Sequence, residues 1–201
     1  IAQGYENYGF VYGFSSSVVG RGMTKPETYD ETTISELTSS NTAETTLNEE
    51  DKPNIIVVLL ESFIDPTEVN FLQMSEDPIP NFRNLYENYS SGYLTVPVVG
   101  AGTANTEFEV LTGMNMQYFG TGEYPYKTIL KQTDCESIAS DLSSIGYGTH
   151  VVHNNGGNFY SRANAFSMMG FDTFTSKELM NIQEYTPLGD WPTDHILINE
   201  T

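Results

Sequence analysis

Cysteine and basic residues are both scarce in this chain, and each scarcity excludes a class of protein. Cys135 is the only cysteine among 201 residues, so an intrachain disulfide is impossible. The chain has 8 basic residues against 27 acidic ones, which gives a formal net charge of -19. So acidic a surface repels nucleic acid and anionic lipid, and we exclude nucleic acid as a partner. An anionic substrate would need a local metal ion or arginine to enter a site here.

Long apolar runs are missing as well. No run approaches the roughly eighteen residues that span a bilayer, and the longest, residues 55–60, has the length of a strand. The chain begins at Ile1 and shows no signal peptide. We therefore expect a piece of a longer product whose targeting segment is absent from this sequence.

The composition changes along the chain and predicts two parts. Residues 1–30 are rich in aromatics and glycine without a clean period, which predicts an irregular or partly helical arm. Residues 28–52 are acidic and rich in serine and threonine, typical of a short helix followed by a linker. We predict an N-terminal arm and linker over residues 1–52 and a main domain over residues 53–201.

Within the main domain, strand and helix patterns alternate. Apolar, β-branched runs predict strands over residues 54–60, 93–99, 149–153 and 171–174. Apolar stripes and end signals predict helices over residues 81–89 and 161–169, and another that follows the Gly-Thr turn and stops at Gly113. A capping box at 133–136 opens a further helix, and a last one starts at 191–194. This order is typical of an α/β sandwich with a mostly parallel sheet.

Three of the predicted strands end near residues with useful chemistry: Glu61, Thr103 and His153. Ligands of open α/β sheets bind beyond the carboxyl ends of the strands. Glu61 can bind a divalent cation, or it is a solvated strand end. Thr103 follows a glycine-rich turn before a helix, where its hydroxyl is either a nucleophile or an ordinary N-cap. His153 can bind a phosphoryl oxygen or move a proton, or it is a half-buried histidine bonded to the backbone.

Two further residues, Tyr160 and Arg162, follow His153 in the sequence and extend this group. Arg162 is one of few basic residues and can clamp a phosphate through two parallel N–H bonds, unless it forms a surface ion pair. Tyr160 can stack on a ligand or pack in the core.

Three motifs resemble the lipoteichoic acid synthase family, which consists of membrane-anchored phosphoglycerol transferases of the sulfatase and alkaline phosphatase superfamily. Residues 52–63 (KPNIIVVLLESF) are similar to its first strand, residues 102–108 (GTANTEF) with 111–113 (LTG) to its nucleophile motif, and residues 153–162 to its glycerol-phosphate-binding loop. The resemblance implies the sulfatase-like fold as a partial domain. A sulfatase's C/S-x-P-x-R motif is absent from residues 103–107, which disfavours sulfate-ester hydrolysis.

The resemblance also implies roles for individual residues. Glu61 and Thr103 would bind a divalent metal, usually Mn²⁺ in the family, and Thr103 would also be the nucleophile. The glycerol phosphate would be contacted by His153, Asn155, Tyr160 and Arg162. Phosphatidylglycerol would be the donor and glycerol-phosphate polymer a further partner. Asn155 and Tyr160 depart from the family pattern, which often has an acid and a tryptophan there.

The family's other metal ligands, an Asp-His pair after a later strand and a further histidine, have no counterpart that we assign. Asp194-His195 follows no apolar strand and predicts only a helix start. We therefore expect the N-terminal half of an extracellular, membrane-anchored catalytic domain, inactive alone, which associates with its missing half or with itself. The alternatives are a metal-dependent phosphodiesterase or phosphatase of the same superfamily, and a non-catalytic phosphate-binding module.

Overall fold

The computed structural model describes residues 2–20, 22–39, 52–61, 63–98, 101–189 and 191–201. The chain divides into two compact units. One contains Ile1–Asp30 and Pro97–Thr201, and the other contains Glu31–Val96. The predicted arm over residues 1–52 and main domain over residues 53–201 remain predictions.

The described elements are mainly helical. In chain order they are α1 Ala2–Val19, α2 Glu31–Ser39, α3 Pro80–Asn88, α4 Thr103–Thr112, α5 Ile138–Ser144, β1 His150–His153, α6 Arg162–Met168, β2 Thr173–Ser176 and α7 His195–Glu200. Short 3-10 helices lie at Pro66–Glu68, Met116–Tyr118, Pro125–Lys127, Ile129–Lys131, Phe159–Ser161 and Lys177–Leu179. No helix of the described residues is both long and apolar enough to cross a membrane.

The sheet of the first unit joins β1 and β2 in parallel. Its register runs from His150 opposite Thr173 to His153 opposite Ser176, and α6 lies between the two strands in sequence. This connection confirms the predicted strand at 149–153 and the strand–helix–strand order, although β2 begins two residues later than the run 171–174 predicts. The parallel pairing places the carboxyl ends of both strands at one edge.

The core of the first unit lies where α4, the segment of residues 125–131 and α6 meet. Its buried members are Ala104, Phe108, Tyr126, Leu130, Ala165, Phe166 and Met169. Ala104 and Phe108 are one helical turn apart, so they present one face of α4 to this core. The Phe166 ring contacts that of Tyr126 edge-on at 6.0 Å and lies 5.0 Å from that of Phe174. These contacts fix α4 and α6 relative to β2.

The helix α5 begins later than its predicted capping box at residues 133–136. Ser137 is the N-cap: its Oγ accepts a hydrogen bond from the Ala139 N–H at 3.0 Å, and Ser140 Oγ accepts from the Ser137 N–H at 2.8 Å. Ser137 Oγ also donates to the Met169 carbonyl at 2.6 Å. This tertiary bond explains why the cap lies at Ser137 and not at Thr133.

The predicted strands at 54–60 and 93–99, which both begin in the second unit, are not formed within the described residues. The apolar run of residues 55–60 has no regular secondary structure and no ladder partner there, and its side chains are between 47% and 84% exposed. A strand needs a neighbour to complete its main-chain hydrogen bonds, so the composition alone does not make one. Val99 lies outside the described residues.

The helix predicted at 81–89 is confirmed as α3, which begins at Pro80. Its Arg83 donates to Asp77 at 2.7 Å and to Asp65 at 2.9 Å. The Phe82 ring packs on that of Phe63 at 4.6 Å. These contacts hold the loop of residues 63–79 on the helix.

The remaining helix predictions also have outcomes. The arm contains α1, which kinks at Gly9, where φ is 79°, and the short acidic helix is α2. The predicted linker after α2 falls on residues 40–51, outside the described part of the chain. Helix α4 ends at Gly113 as predicted, with φ at 71°. The last helix starts after Asp194, which is its N-cap residue.

Replacing Asp172 by asparagine is expected to lower the melting temperature at neutral pH. Asp172 Oδ2 accepts from the Thr149 N–H at 2.8 Å and from its Oγ1 at 3.2 Å, and these bonds, the backbone one first, lower the pKa of Asp172. A lowered pKa contributes stability above the unfolded value of about 3.9, which is lost as pH falls through the folded value. The difference between wild type and Asp172→Asn should therefore shrink below about pH 4.

Thermal melts from pH 7 to pH 3 measure this difference. Asp134→Asn is the matched control, because it removes the same charge from another exposed aspartate of the same unit. A difference for Asp172→Asn that stayed constant down to pH 3 would contradict the assignment of the stability to the ionised carboxylate.

Candidate active site

Thr103 is the first residue of α4 and not its N-cap. The N-cap is Gly102, whose φ of 86° lies in the left-handed region that favours glycine. The Gly102 carbonyl accepts from the Asn105 N–H at 2.9 Å, which closes the first turn. The N-cap interpretation of Thr103 is therefore wrong. The half-buried Thr103 lies at the positive end of a ten-residue helix, where negative charge is favoured.

One helical turn beyond Thr103, Glu107 forms a buried ion pair with Arg162. Arg162 Nε lies 3.1 Å from each carboxylate oxygen of Glu107, and Nη2 also contacts Oε1. The two side chains are 1% and 7% exposed. The ion pair that the sequence allows for Arg162 is thus in the core and not at the surface. It joins α4 to the start of α6.

Burial also affects a tyrosine next to this pair. Desolvation, and after it the negative charge of Glu107, raise the pKa of the buried Tyr126 phenol. Its ring packs on Phe166 in the core. The ion pair is therefore surrounded by aromatic rings, including that of Tyr160, whose centroid lies 5.4 Å from the Arg162 guanidinium carbon.

Tyr160 and Ser161 are consecutive residues with left-handed backbone, at φ values of 56° and 62°. Such a conformation in residues other than glycine is strained and is concentrated at functional sites. The Tyr160 ring stacks on that of Tyr124, with centroids 5.8 Å apart and planes inclined by 15°. The strained turn thus presents Tyr160 to another aromatic ring.

Tyr124 closes a ring of contacts back to the helix that begins at Thr103. A methyl group added at Gly102 would lie 2.9 Å from the Tyr124 hydroxyl, so this hydroxyl lies against the turn before Thr103. The contacts run from Gly102 to Tyr124, to Tyr160, to Arg162, to Glu107 and back to α4. The contacts thus connect the start of α4 to Tyr160 and Arg162, which are far apart from it in sequence.

His153 and Asn155 lie in the segment that leads from β1 to Tyr160. His153 is half-buried as the last residue of β1, at the carboxyl end of the sheet. Asn155 Oδ1 accepts from the Gly156 N–H at 2.7 Å, and its carbonyl accepts from the Lys177 N–H at 3.1 Å. The loop after β1 is thereby held on the segment that follows β2.

Glu178 fixes the same loop from the other side. Its Oε2 accepts from the Gly157 N–H at 3.1 Å and from Ser176 Oγ at 2.6 Å. These bonds, that of Ser176 first, lower the pKa of Glu178. Asn154 Nδ2 donates to Asp194 Oδ1 at 2.8 Å. The loop that carries the predicted phosphate-binding residues is thus anchored at both Asn154 and Gly157.

The metal site predicted from Glu61 and Thr103 has its two residues in different units of the chain. Among the described residues, no group of three or more histidine, cysteine or acidic side chains is close enough to hold a metal ion. Asp194 and His195 lie at the exposed start of α7, with His195 Nδ1 at 3.7 Å from Glu184 Oε2. The Glu61 carboxylate and the Thr103 hydroxyl are oxygen donors, which suit a hard cation chemically. Two such donors are not a complete metal site.

The sequence assigns no role to Glu107, although it belongs to the motif at residues 102–108, nor to Tyr124, nor to Lys127, whose Nζ lies 4.7 Å from the centroid of the Tyr160 ring. Glu107 carries a signal, because it lies four residues after Thr103 and so on the same side of the predicted helix. Tyr124 and Lys127 lie in a predicted loop, and no periodicity there indicates where their side chains go.

Comparison with known families gives the class of this protein. Residues 53–199 match the sulfatase family, and the chain belongs to that family. The predicted membership of the sulfatase and alkaline phosphatase superfamily is thereby confirmed.

The chain is similar to individual proteins in sequence and in structure. The chain is 33% identical over 149 residues to a protein of Rhizobium meliloti (strain 1021) named for cyclic beta-1,2-glucan modification. The structure resembles the Streptococcus pyogenes phosphoglycerol transferase GacH, solved with sn-glycerol-1-phosphate, at a TM-score of 0.66 and 24% identity over 89% of this chain. This likeness confirms the predicted sulfatase-like fold as a partial domain. The lipoteichoic acid synthase LtaP from Listeria monocytogenes matches 52% of the chain at 24% identity and a TM-score of 0.45.

These relatives are longer than the chain. The matched region of the Rhizobium protein covers 74% of this chain and 22% of that protein. The alignments cover 49% of the GacH chain and 24% of the LtaP chain.

Proposed function

We propose that this protein transfers glycerol phosphate from phosphatidylglycerol through a covalent phosphoglycerol–Thr103 intermediate. The observation that carries the proposal is the ring of contacts around the start of α4. These contacts link the turn before Thr103 to Tyr160 and Arg162, and all three residues lie in the family-like motifs, which supports the proposal. Sulfatase-family membership and the GacH-like fold support the same chemistry.

The proposed reaction has two steps. Thr103 Oγ attacks the phosphorus of the phosphodiester and loses its proton, the bond to the diacylglycerol oxygen breaks, and that oxygen takes up a proton. An acceptor hydroxyl then attacks the same phosphorus and releases Thr103. The positive end of α4 favours the phosphoryl charge beside Thr103, and a covalent intermediate divides one difficult displacement into two.

The other predicted residues bind and orient the glycerol phosphate in this proposal. His153 and Asn155 contact it from the loop after β1, and Tyr160 lies against it from the strained turn. Arg162 acts from the core, where Glu107 fixes the orientation of its guanidinium. Water as final acceptor would make the protein a phosphodiesterase, and analysis of the products distinguishes free glycerol phosphate from a modified acceptor.

A divalent metal is typical of the superfamily, and we propose Mn²⁺ held by Glu61, Thr103 and ligands from the part of such proteins that this chain does not span. When bound, the metal would supply positive charge to the Thr103 hydroxyl and the phosphoryl group. The proposed location is the extracellular face of the cell membrane, through an anchor outside this sequence, because the donor is a membrane lipid. Association with the missing half or with a second copy is part of the same proposal.

A trapped intermediate tests this function. The full-length protein is incubated with phosphatidylglycerol vesicles and Mn²⁺ and is then quenched rapidly with acid. Peptide mapping should find phosphoglycerol on Thr103. Thr106, on the same helix, is an internal control and should stay unmodified. Turnover of the lipid with no modified Thr103 peptide at any quench time would contradict the proposal.

A further inference from the structure

We propose that Lys127 and Tyr124 form a further phosphate-binding side of this site, in which the Lys127 ammonium binds the anionic phosphoglycerol group and the Tyr124 hydroxyl orients it beside Thr103. Both residues lie outside the motifs that resemble the family. The inference rests on the proposed function, because it names residues that recognise the same substrate.

The position of Tyr124 is the first reason. Its hydroxyl lies against Gly102, the residue directly before Thr103, while its ring stacks on Tyr160. Tyr124 is half-buried. Its stacking on Tyr160 holds the ring in place, and with it the hydroxyl. A phosphoryl group on Thr103 would stand beside the same turn, within reach of a phenol donor.

Lys127 adds positive charge to this position. Its Nζ lies 4.7 Å from the centroid of the Tyr160 ring and 5.3 Å from that of Tyr124. Cation–π attraction to two rings holds the ammonium over the stack. The backbone is fixed as well, because Lys127 follows the buried Pro125 and Tyr126, and its N–H donates to the Tyr124 carbonyl at 2.8 Å.

The charge of Lys127 differs from that of Arg162 in its surroundings. The buried carboxylate of Glu107 neutralises the charge of Arg162. Among the residues that the structure describes, no carboxylate is within ion-pair distance of Lys127 Nζ, and the nearby Glu123 carboxylate accepts from the Thr128 hydroxyl. In a chain of net charge -19, Lys127 therefore supplies charge that an anionic ligand can use.

Calorimetry tests the proposal by measuring how tightly the full-length protein binds soluble sn-glycerol-1-phosphate. Lys127→Gln should weaken binding about tenfold, since a hydrogen bond to a charged group is lost, and Lys127→Arg should restore most of it. Lys131→Gln is the matched control, an exposed lysine in the next 3-10 helix, and should change binding less than twofold. Tyr124→Phe should weaken binding without unstacking Tyr160.

A second arm uses vesicles of phosphatidylglycerol in phosphatidylcholine and distinguishes the lipid headgroup from the soluble ligand. A Lys127→Gln defect in both arms supports recognition of the shared phosphoglycerol group, and a defect only on vesicles assigns Lys127 to the lipid form. Equal effects of Lys127→Gln and Lys131→Gln in both arms, or no binding by wild type in either, overturn the proposal. If Thr103→Ala turns over normally while Lys127→Gln binds weakly, the proposed mechanism fails and the binding inference stands.

Discussion

Replacing Thr103 by alanine is expected to reduce diacylglycerol release from phosphatidylglycerol by at least about a thousandfold, as loss of a covalent nucleophile does. Thr103 begins α4 after the left-handed Gly102, so its hydroxyl is not used as the helix cap. Alanine has a high helix propensity and should leave α4 intact. The loss should therefore fall on turnover and leave the melting temperature nearly unchanged.

Two further variants make this measurement specific. Thr103→Ser keeps a hydroxyl at the same place and should retain activity within about tenfold, whereas Thr103→Ala should not. Thr106→Ala changes the same residue type at another half-buried position of α4 and should behave as wild type. Wild-type turnover by Thr103→Ala, or an equal loss in Thr106→Ala, would show that Thr103 is not the nucleophile.

The helices of this fold could be predicted from sequence because their signals are local. Gly113 ends α4 in the left-handed conformation, and the apolar pattern of residues 161–169 gives α6. Strands depend on partners that are distant in sequence. The run 149–153 forms β1 because β2 pairs with it, whereas the more apolar run 55–60 has no partner among the described residues and remains irregular and exposed.

The candidate site likewise contains residues that have a local signal in the sequence and contacts that have none. Thr103, His153 and Arg162 are candidates from the sequence because they lie near predicted strand ends or in motifs, and their roles remain predictions. The ion pair of Arg162 with Glu107 spans 55 positions, and the stack of Tyr124 on Tyr160 is likewise a contact between distant segments. No local pattern specifies such a partner. The proximity of Glu61 to Thr103 remains a prediction, since the two residues belong to different units.

Replacing Glu107 by glutamine is expected to lower the free energy of unfolding by about 3–5 kcal/mol, the range for breaking one partner of a buried ion pair. Arg162 is 1% exposed, and its buried charge would lose the carboxylate that lies against it. Chemical denaturation followed by circular dichroism measures the change, and hydrogen exchange should show lost protection in α4 and α6. Arg83→Gln is the control: its ion pairs with Asp65 and Asp77 are partly exposed and should contribute much less.

A double variant separates stability from function in this pair. Glu107→Leu with Arg162→Met replaces both charges by apolar groups of similar size, and such replacements of buried ion pairs are often neutral or stabilising. We expect the double variant to recover most of the stability that either single change loses, so the two effects should be strongly non-additive. It should nevertheless remain inactive, because the guanidinium is absent from the site. Recovery of turnover together with stability would show that the pair only holds α4 on α6, and that Arg162 takes no part in binding the phosphate.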